Sequence, residues 1–162
     1  MVHPFLRTTS MLWFVMLAAV FVMMAAGLVW GEYEPDISLA FPITLVSAFG
    51  VAAIVASQFF ERILAATPPA DAEGALRQVQ SRSMVQWNLG LAPSVLALVM
   101  SISIGPAWLV LIALVLSLVA LIPTRPSMSR LERLDNAWAE RGAGVDMVEH
   151  LREYERTHPR NQ

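Results

Sequence analysis

Three long stretches without a charged residue constrain this chain more than any other feature. They cover residues 8–31, 37–60 and 83–124, which is 24, 24 and 42 residues. A helix needs about 20 apolar residues to cross the hydrocarbon core of a bilayer, so the first two stretches provide one span each and the third provides two. Since 56% of the residues are hydrophobic and only 15% are charged, the composition speaks against a soluble domain.

The third stretch divides at Gly105-Pro106, because proline cannot continue a helix and glycine favours the turn that ends one. The sequence therefore predicts an all-α, polytopic integral membrane protein with four transmembrane helices in a domain of residues 1–124. We expect the first apolar run to be retained as a helix, because it is longer than the core of a signal peptide. The predicted spans are residues 11–31, 39–62, 84–104 and 107–123.

Eleven arginines and no lysine carry the positive charge, and their distribution predicts the orientation. The loop at residues 32–36 has three acidic residues and no arginine. An even number of spans places both termini on one side, and the positive-inside rule makes that side the cytoplasm. Trp13 and Trp87 then fall near the inner interface, where amphipathic rings prefer the headgroup level. Alanine richness and arginine without lysine are typical of a high-GC bacterial genome, which indicates the cell (inner) membrane.

The loop between the second and third spans is predicted to be short and helical at both ends. Helix two can continue until Thr67-Pro68-Pro69 stops it. Asp71 is a good N-cap for the following helix. We therefore expect helix three to project beyond the membrane before it enters it.

Small residues predict how the helices pack, since close approach of backbones supplies much of the contact energy in lipid. They form stripes on helices two and three and a GxxxG pair at the end of helix one. We expect these stripes to pack the four helices of one chain, with a homo-oligomer interface as the alternative. A kink is predicted at Pro93. The packing candidates are Gly27, Gly31, Ala48, Ala52, Ala56, Gly90, Ser94, Ala97 and Ser101.

Residues 125–162 are predicted to be a helical cytoplasmic tail. Apolar residues recur at helical spacing on both sides of Gly142-Ala143-Gly144, which indicates two short amphipathic helices. Seven arginines balance seven acidic residues, so the tail is not a polybasic lipid-binding segment. Its apolar face is expected to cover the protein's own bundle, with the membrane surface and a partner helix as alternatives. That face comprises Leu131, Leu134, Trp138, Leu151 and Tyr154.

The sequence contains few residues that could carry out catalysis, ion coupling or metal binding. None of the three uncharged stretches contains an ionisable residue, so proton relay and ion coupling have no carrier there. The chain has no cysteine, and its three histidines are His3, His150 and His158. We predict no catalytic residue, no cofactor and no metal site. A net charge of −2 gives no general attraction to nucleic acid.

The segment from Arg82 to Val99, read as Arg-Ser-Met-Val-Gln-Trp-Asn-Leu-Gly-Leu-Ala-Pro-Ser-Val-Leu-Ala-Leu-Val, resembles the second helix of the ATP-synthase c-subunit hairpin. It is also similar to a group of small bacterial membrane proteins that share such a hairpin. In those proteins a glutamate stands where this chain has Leu91. The resemblance implies two antiparallel helices joined on the cytoplasmic side, without the carboxylate that carries protons.

These features predict a non-catalytic membrane protein that works by association, as an accessory subunit or an assembly or scaffold factor of a membrane complex. Its expected partners are the lipid bilayer and another membrane protein or further copies of itself. The alternative is a small homo-oligomeric transporter or channel for neutral or small solutes, lined by Asn88, Ser94 and Ser101. A third class, an enzyme acting on lipid headgroups, would gather Glu61, Arg62, Arg77, Arg82 and His150 at one face.

Overall fold

Six α-helices form the protein in the computed structural model, which describes residues 4–31, 40–103 and 106–157. No β-strand occurs in these ranges, so the predicted all-α class is confirmed. The loop at residues 32–36, Gly105, His3 and His158 lie outside the described residues. In chain order the helices are α1 (Pro4–Trp30), α2 (Ala40–Ala66), α3 (Ala72–Ser103), α4 (Leu109–Leu121), α5 (Met128–Ala139) and α6 (Met147–Thr157), and a 3-10 turn (Ile122–Thr124) extends α4.

Three helices, α1, α2 and α3, are long and apolar enough to cross a membrane. The wholly apolar α4 has 13 residues. At 1.5 Å per residue it spans about 20 Å, which is less than the roughly 30 Å of a hydrocarbon core. The 3-10 turn lengthens it before the chain bends by 60° into α5. The composition therefore supports a multi-pass membrane protein with three spans, or four if α4 and its extension cross as well.

The short loop between α2 and α3 follows the predicted stop and start signals. Helix α2 ends at Ala66, and the Oδ1 atom of Asp71 accepts a hydrogen bond from the backbone N–H of Gly74 at 2.6 Å. The side chain of Gln78 donates to the carbonyl oxygen of Thr67 at 3.1 Å and ties the two helix ends together. Helix α3 runs without interruption through Pro93, which is buried.

Helix α4 packs against α1, α2 and α3. Glycines permit the close approach: a Cβ atom at Gly50 of α2 would lie 2.9 Å from Cβ of Leu116, and one at Gly90 of α3 would lie 2.8 Å from Leu121. Large apolar side chains such as Phe14, Val22 and Phe49 are exposed on the outside, as expected where lipid covers the surface.

The N-terminus of α1, the loop between α2 and α3, and the C-terminus of α4 meet at one end of the bundle, which we call the capped end. Helices α5 and α6 fold back over this end, because each has one apolar face to bury. One continuous core joins the tail to α1, α2 and α3. It contains Leu6, Leu64, Ala75, Val79, Leu131, Leu134, Trp138, Met147, Val148 and Leu151.

The carboxylates of Asp135 and Asp146 cap the N-terminus of α6. The oxygens of Asp135 accept hydrogen bonds from the backbone N–H groups of Met147 and Val148 at 3.2 and 2.8 Å, and Asp146 accepts from Glu149 at 2.7 Å. Burial raises the pKa of the Asp135 carboxyl above its ordinary value near 3.8. The hydrogen bonds from the two N–H groups lower this pKa, and the nearby Asp146 raises it further. Asp135 thus anchors α6 to α5.

The raised pKa of Asp135 predicts a pH-dependent stability. Between its ordinary and its raised value, the folded protein binds more protons than the unfolded chain, so this contribution is present at low pH and falls as pH rises. Asp135→Asn keeps one oxygen acceptor and does not titrate. We expect the thermal stability of the wild type relative to Asp135→Asn to fall as the pH rises through and above the ordinary pKa of 3.8. A relative stability that stays constant or rises would contradict this assignment.

Candidate functional site

A buried arginine in the first turn of α5 forms the most highly connected polar site in the described residues. Ser127 caps α5, and its Oγ atom accepts from the backbone N–H of Arg130 at 3.3 Å. Side chains in a helix point toward its N-terminus, which directs Arg130 back toward α2, α3 and the end of α4. The residue is 1% exposed, which is unusual for arginine.

The guanidinium of Arg130 uses all five of its N–H donors. Nε donates to Oε1 of Glu61 at 2.8 Å and Nη2 donates to Oε2 at 2.6 Å, which is the bidentate geometry of a strong pair. Nη2 also donates to Oε1 of Gln86 at 3.0 Å. Nη1 donates to Oγ of Ser83 at 3.0 Å and to the carbonyl oxygen of Thr124 at 3.1 Å. No donor of this buried cation is left unsatisfied.

Gln86 of α3 completes the network from the opposite side. Its Nε2 atom donates to the backbone carbonyl of Ser57 at 2.9 Å and to Oε2 of Glu61 at 3.2 Å. One polar cluster therefore connects α2, α3, the 3-10 turn after α4, and α5. We call Glu61, Ser83, Gln86, Thr124 and Arg130 the arginine cluster.

Three tryptophans close the carbonyl ends of helices around this cluster. The indole N–H of Trp13 donates to Leu121 at 3.1 Å, that of Trp87 to Thr124 at 3.4 Å and that of Trp138 to Leu64 at 2.9 Å, each to a backbone oxygen. These carbonyls lie at or near the ends of α2, α4 and the 3-10 turn, where intrahelical partners are missing.

The depth of Trp13 and Trp87 near the inner membrane interface stays a prediction, but these rings are surrounded by protein and not by headgroups. They lie at the capped end but are only 6% and 0% exposed, and they pack inside the chain. Their N–H groups find backbone partners there, so these rings do not need the headgroup region.

Several predicted packing residues lie between helices. Ser94 is buried and its hydroxyl is 2.8 Å from that of Ser117 on α4. Ser101 donates to the carbonyl oxygen of Pro106 at 3.2 Å. Ala97 is fully buried among residues of α2 and α4. The remaining members of this group are Gly27, Gly31 and Gly90, which face Val110, Ala107 and Leu121.

The small-residue stripe on α2 lies mostly on the outer surface of the bundle and not between its helices. Ala48 and Ala52 are exposed, and Ala56 is half-buried. Helix α2 packs within the chain through a different face, which includes Val46 and Gly50. This stripe therefore does not pack the four helices of one chain, and the alternative, an interface with another chain, stays a prediction.

The apolar face of the tail covers the protein's own bundle. Leu131, Leu134, Trp138 and Leu151 are at most 3% exposed and belong to the capped-end core. Tyr154 is 38% exposed. The buried part of the face is thus occupied and not free for a partner helix.

The arginine cluster is not predicted by the sequence. Glu61 is indicated there only at the end of a span and as a candidate of a lipid-headgroup enzyme, and Arg130 not at all, because the pair is separated by 69 positions. A signal exists on α2, where Glu61 is the one acidic residue of a mostly apolar helix of 27 residues. Its partner is not readable from spacing, since seven arginines follow residue 124.

The residues considered for a lipid enzyme are not gathered into one site. Glu61 pairs with Arg130, and Arg77 pairs with Glu73 at 3.0 Å on the surface. No group of three or more histidine, aspartate or glutamate side chains in the described part of the chain is arranged to hold a metal. The arginine cluster is instead a neutral, closed network suited to holding helices together.

No family model, curated protein or solved structure matches this chain. The similarity of residues 82–99 to a c-subunit hairpin therefore stays a prediction from the motif.

Removing one member of the arginine cluster should destabilise the protein strongly. Arg130→Ala leaves the Glu61 carboxylate without its cation, which we expect to cost about 3–5 kcal/mol of unfolding free energy. In a double-mutant cycle with Glu61→Ala, the coupling energy should reach at least about 2 kcal/mol, because the double variant leaves no unpaired charge. Denaturant titration in mild detergent measures both.

Arg77→Ala is the matched control, because the Arg77–Glu73 pair is exposed and its loss should cost less than about 1 kcal/mol. Equal effects of the two arginine substitutions would contradict a special role for Arg130.

Proposed function

We propose that this protein is a non-catalytic accessory subunit or scaffold factor of a complex in the bacterial inner membrane. It associates with a transmembrane helix of a partner through the exposed small-residue face of α2. The observation that carries the proposal is that this face, unlike the other small-residue patterns, has no helix of the described part of the chain against it.

The α2 face has the shape that helix association in lipid requires. Thr44, Ala48 and Ala52 are exposed at four-residue spacing, so a partner backbone can approach closely. Phe41 and Phe59 lie on the same side, 63% and 60% exposed, at the two ends of the run. The open depression between them runs from Ile43 to Val55, which is about three helical turns. Phenylalanines at both ends and smaller side chains between them, including Val51, favour a helix seated against α2.

The tail supports an association within the membrane rather than through the cytoplasm. Its apolar residues are already buried at the capped end, so they stabilise the bundle itself. Burial of this face leaves α2 as the better candidate for partner contact.

The channel alternative has less support. The hydroxyl groups of Ser94 and Ser101 are hydrogen-bonded to Ser117 and to the carbonyl oxygen of Pro106. The side chain of Asn88 donates to the carbonyl oxygen of Met84 in its own helix at 2.8 Å. A polar path would need these groups free to face solutes.

We further propose four spans with both termini in the cytoplasm, so that the capped end is cytoplasmic. The absence of cysteine makes this testable with single-cysteine variants. In intact cells, a membrane-impermeant maleimide should label Trp30→Cys, which is at the far end of α1. It should label Gly144→Cys, a site with open space around it, only after the membrane is opened. Labelling in the reverse pattern would overturn the orientation.

A bulky residue on the α2 face should weaken association without unfolding the protein. We expect Ala48→Phe to reduce partner recovery about tenfold, because overpacking a helix interface costs about 1–3 kcal/mol. Ala18→Phe on the exposed side of α1 is the matched control. The measurement is native purification from membranes followed by mass determination, which separates a hetero-complex from a homo-oligomer. Recovery of only the bare 17.8 kDa chain would refute the proposal.

A further inference from the structure

A small cavity lies beside the arginine cluster, between α2 and the end of α4. Its volume is about 110 Å³, which equals three or four water molecules at roughly 30 Å³ each. One wall carries polar side chains of α2, namely Ser57, Gln58 and Glu61. The other wall is mostly apolar and includes Val119, Pro123 and Thr124. The cavity is therefore amphipathic and of the size of a small chemical group.

The cavity opens on the outer surface of the bundle. Gln58, Val119 and Pro123, which line it, are all exposed. Glu61 lies five residues before the end of α2, and its side chain is 34% exposed. A site near the end of an apolar span and open to the outside lies at the headgroup level of a bilayer, where amphipathic molecules are the main solvent.

The polar wall offers an acceptor. All five donors of Arg130 are engaged, and both N–H groups of the Gln86 amide are used on Ser57 and Glu61. Among the described residues, the carboxylate of Glu61 accepts three hydrogen bonds, whereas two carboxylate oxygens provide about four acceptor positions. The remaining acceptor position can take a hydrogen-bond donor, which the phosphodiester group of a lipid does not provide.

The charges around Glu61 decide which donor fits. Arg130 already neutralises the carboxylate, and Arg133 lies close enough to act on its charge as well. A positive ammonium group meets repulsion in such surroundings, whereas an uncharged hydroxyl does not. Arg133 favours a negative group near the cavity, because Arg130 is itself neutralised by Glu61. We propose that this cavity binds the hydroxyl-bearing headgroup of an anionic phospholipid, with a hydroxyl on Glu61 and the acyl chains along the α2–α4 surface.

Two anionic lipids with the same charge test the proposal. Phosphatidylglycerol carries headgroup hydroxyls, whereas phosphatidylmethanol, with identical acyl chains, has none. The purified protein is offered an equimolar mixture of the two, and the lipid retained on the intact protein is counted by native mass spectrometry. We expect about a tenfold preference for phosphatidylglycerol, the value of one hydrogen bond to a charged acceptor.

Val119→Phe and Val115→Phe provide a matched pair of variants. Val119 lines the cavity and Val115 lies one turn away; both are exposed on α4, so neither change disturbs a buried core. We expect Val119→Phe to abolish the preference and Val115→Phe to retain it. Equal retention of the two lipids by the wild type would overturn the proposal, and so would a preference that survives Val119→Phe. Suppression by free glycerol at millimolar concentration would assign the cavity to a soluble polyol instead and overturn the lipid assignment.

Discussion

The buried pairing of Arg130 with Glu61 is the interaction on which the capped end depends. An arginine that is 1% exposed at a bend of the chain is tolerable only because every one of its donors is bonded. Its partners come from α2, α3 and the turn after α4, so all five donors are bonded only when these three elements are assembled. A network of this kind favours one arrangement of the helices over other arrangements that would bury a similar apolar surface but leave the guanidinium unpaired.

The cluster also explains why the tail belongs to the bundle. Helix α5 begins immediately after a bend of 60°, and Arg130 lies in its first turn. The indole of Trp138, two turns further on, donates to the carbonyl of Leu64 at the end of α2. These two polar contacts set the position of α5 along α2. The apolar residues around them provide the buried surface between the two helices. The membrane helices and the tail therefore form one packed unit at this end.

The sequence was sufficient for features that depend on local pattern. Uncharged stretches predicted α1, α2 and α3, Asp71 predicted the start of α3, and Gly142-Ala143-Gly144 predicted the break between α5 and α6. It was not sufficient for features that depend on distant partners. The stripe on α2 and the stripe on α3 look alike in sequence, yet Ala97 is buried and Ala48 is exposed, because only the rotation of each helix in the bundle decides which face meets a neighbour. The Arg130–Glu61 pair was missed for the same reason, since one of seven tail arginines is selected by geometry alone.

Hydrogen–deuterium exchange of the whole protein in lipid nanodiscs tests the central claim, that the tail is docked on the bundle through the arginine cluster, most directly. Backbone amides in α5 should be protected to the same degree as those in the last turns of α2, because the two helices share one core and should open together. Exchange of α5 and α6 within seconds, while α2 and α3 stay protected, would show that the tail is detached and would contradict the account.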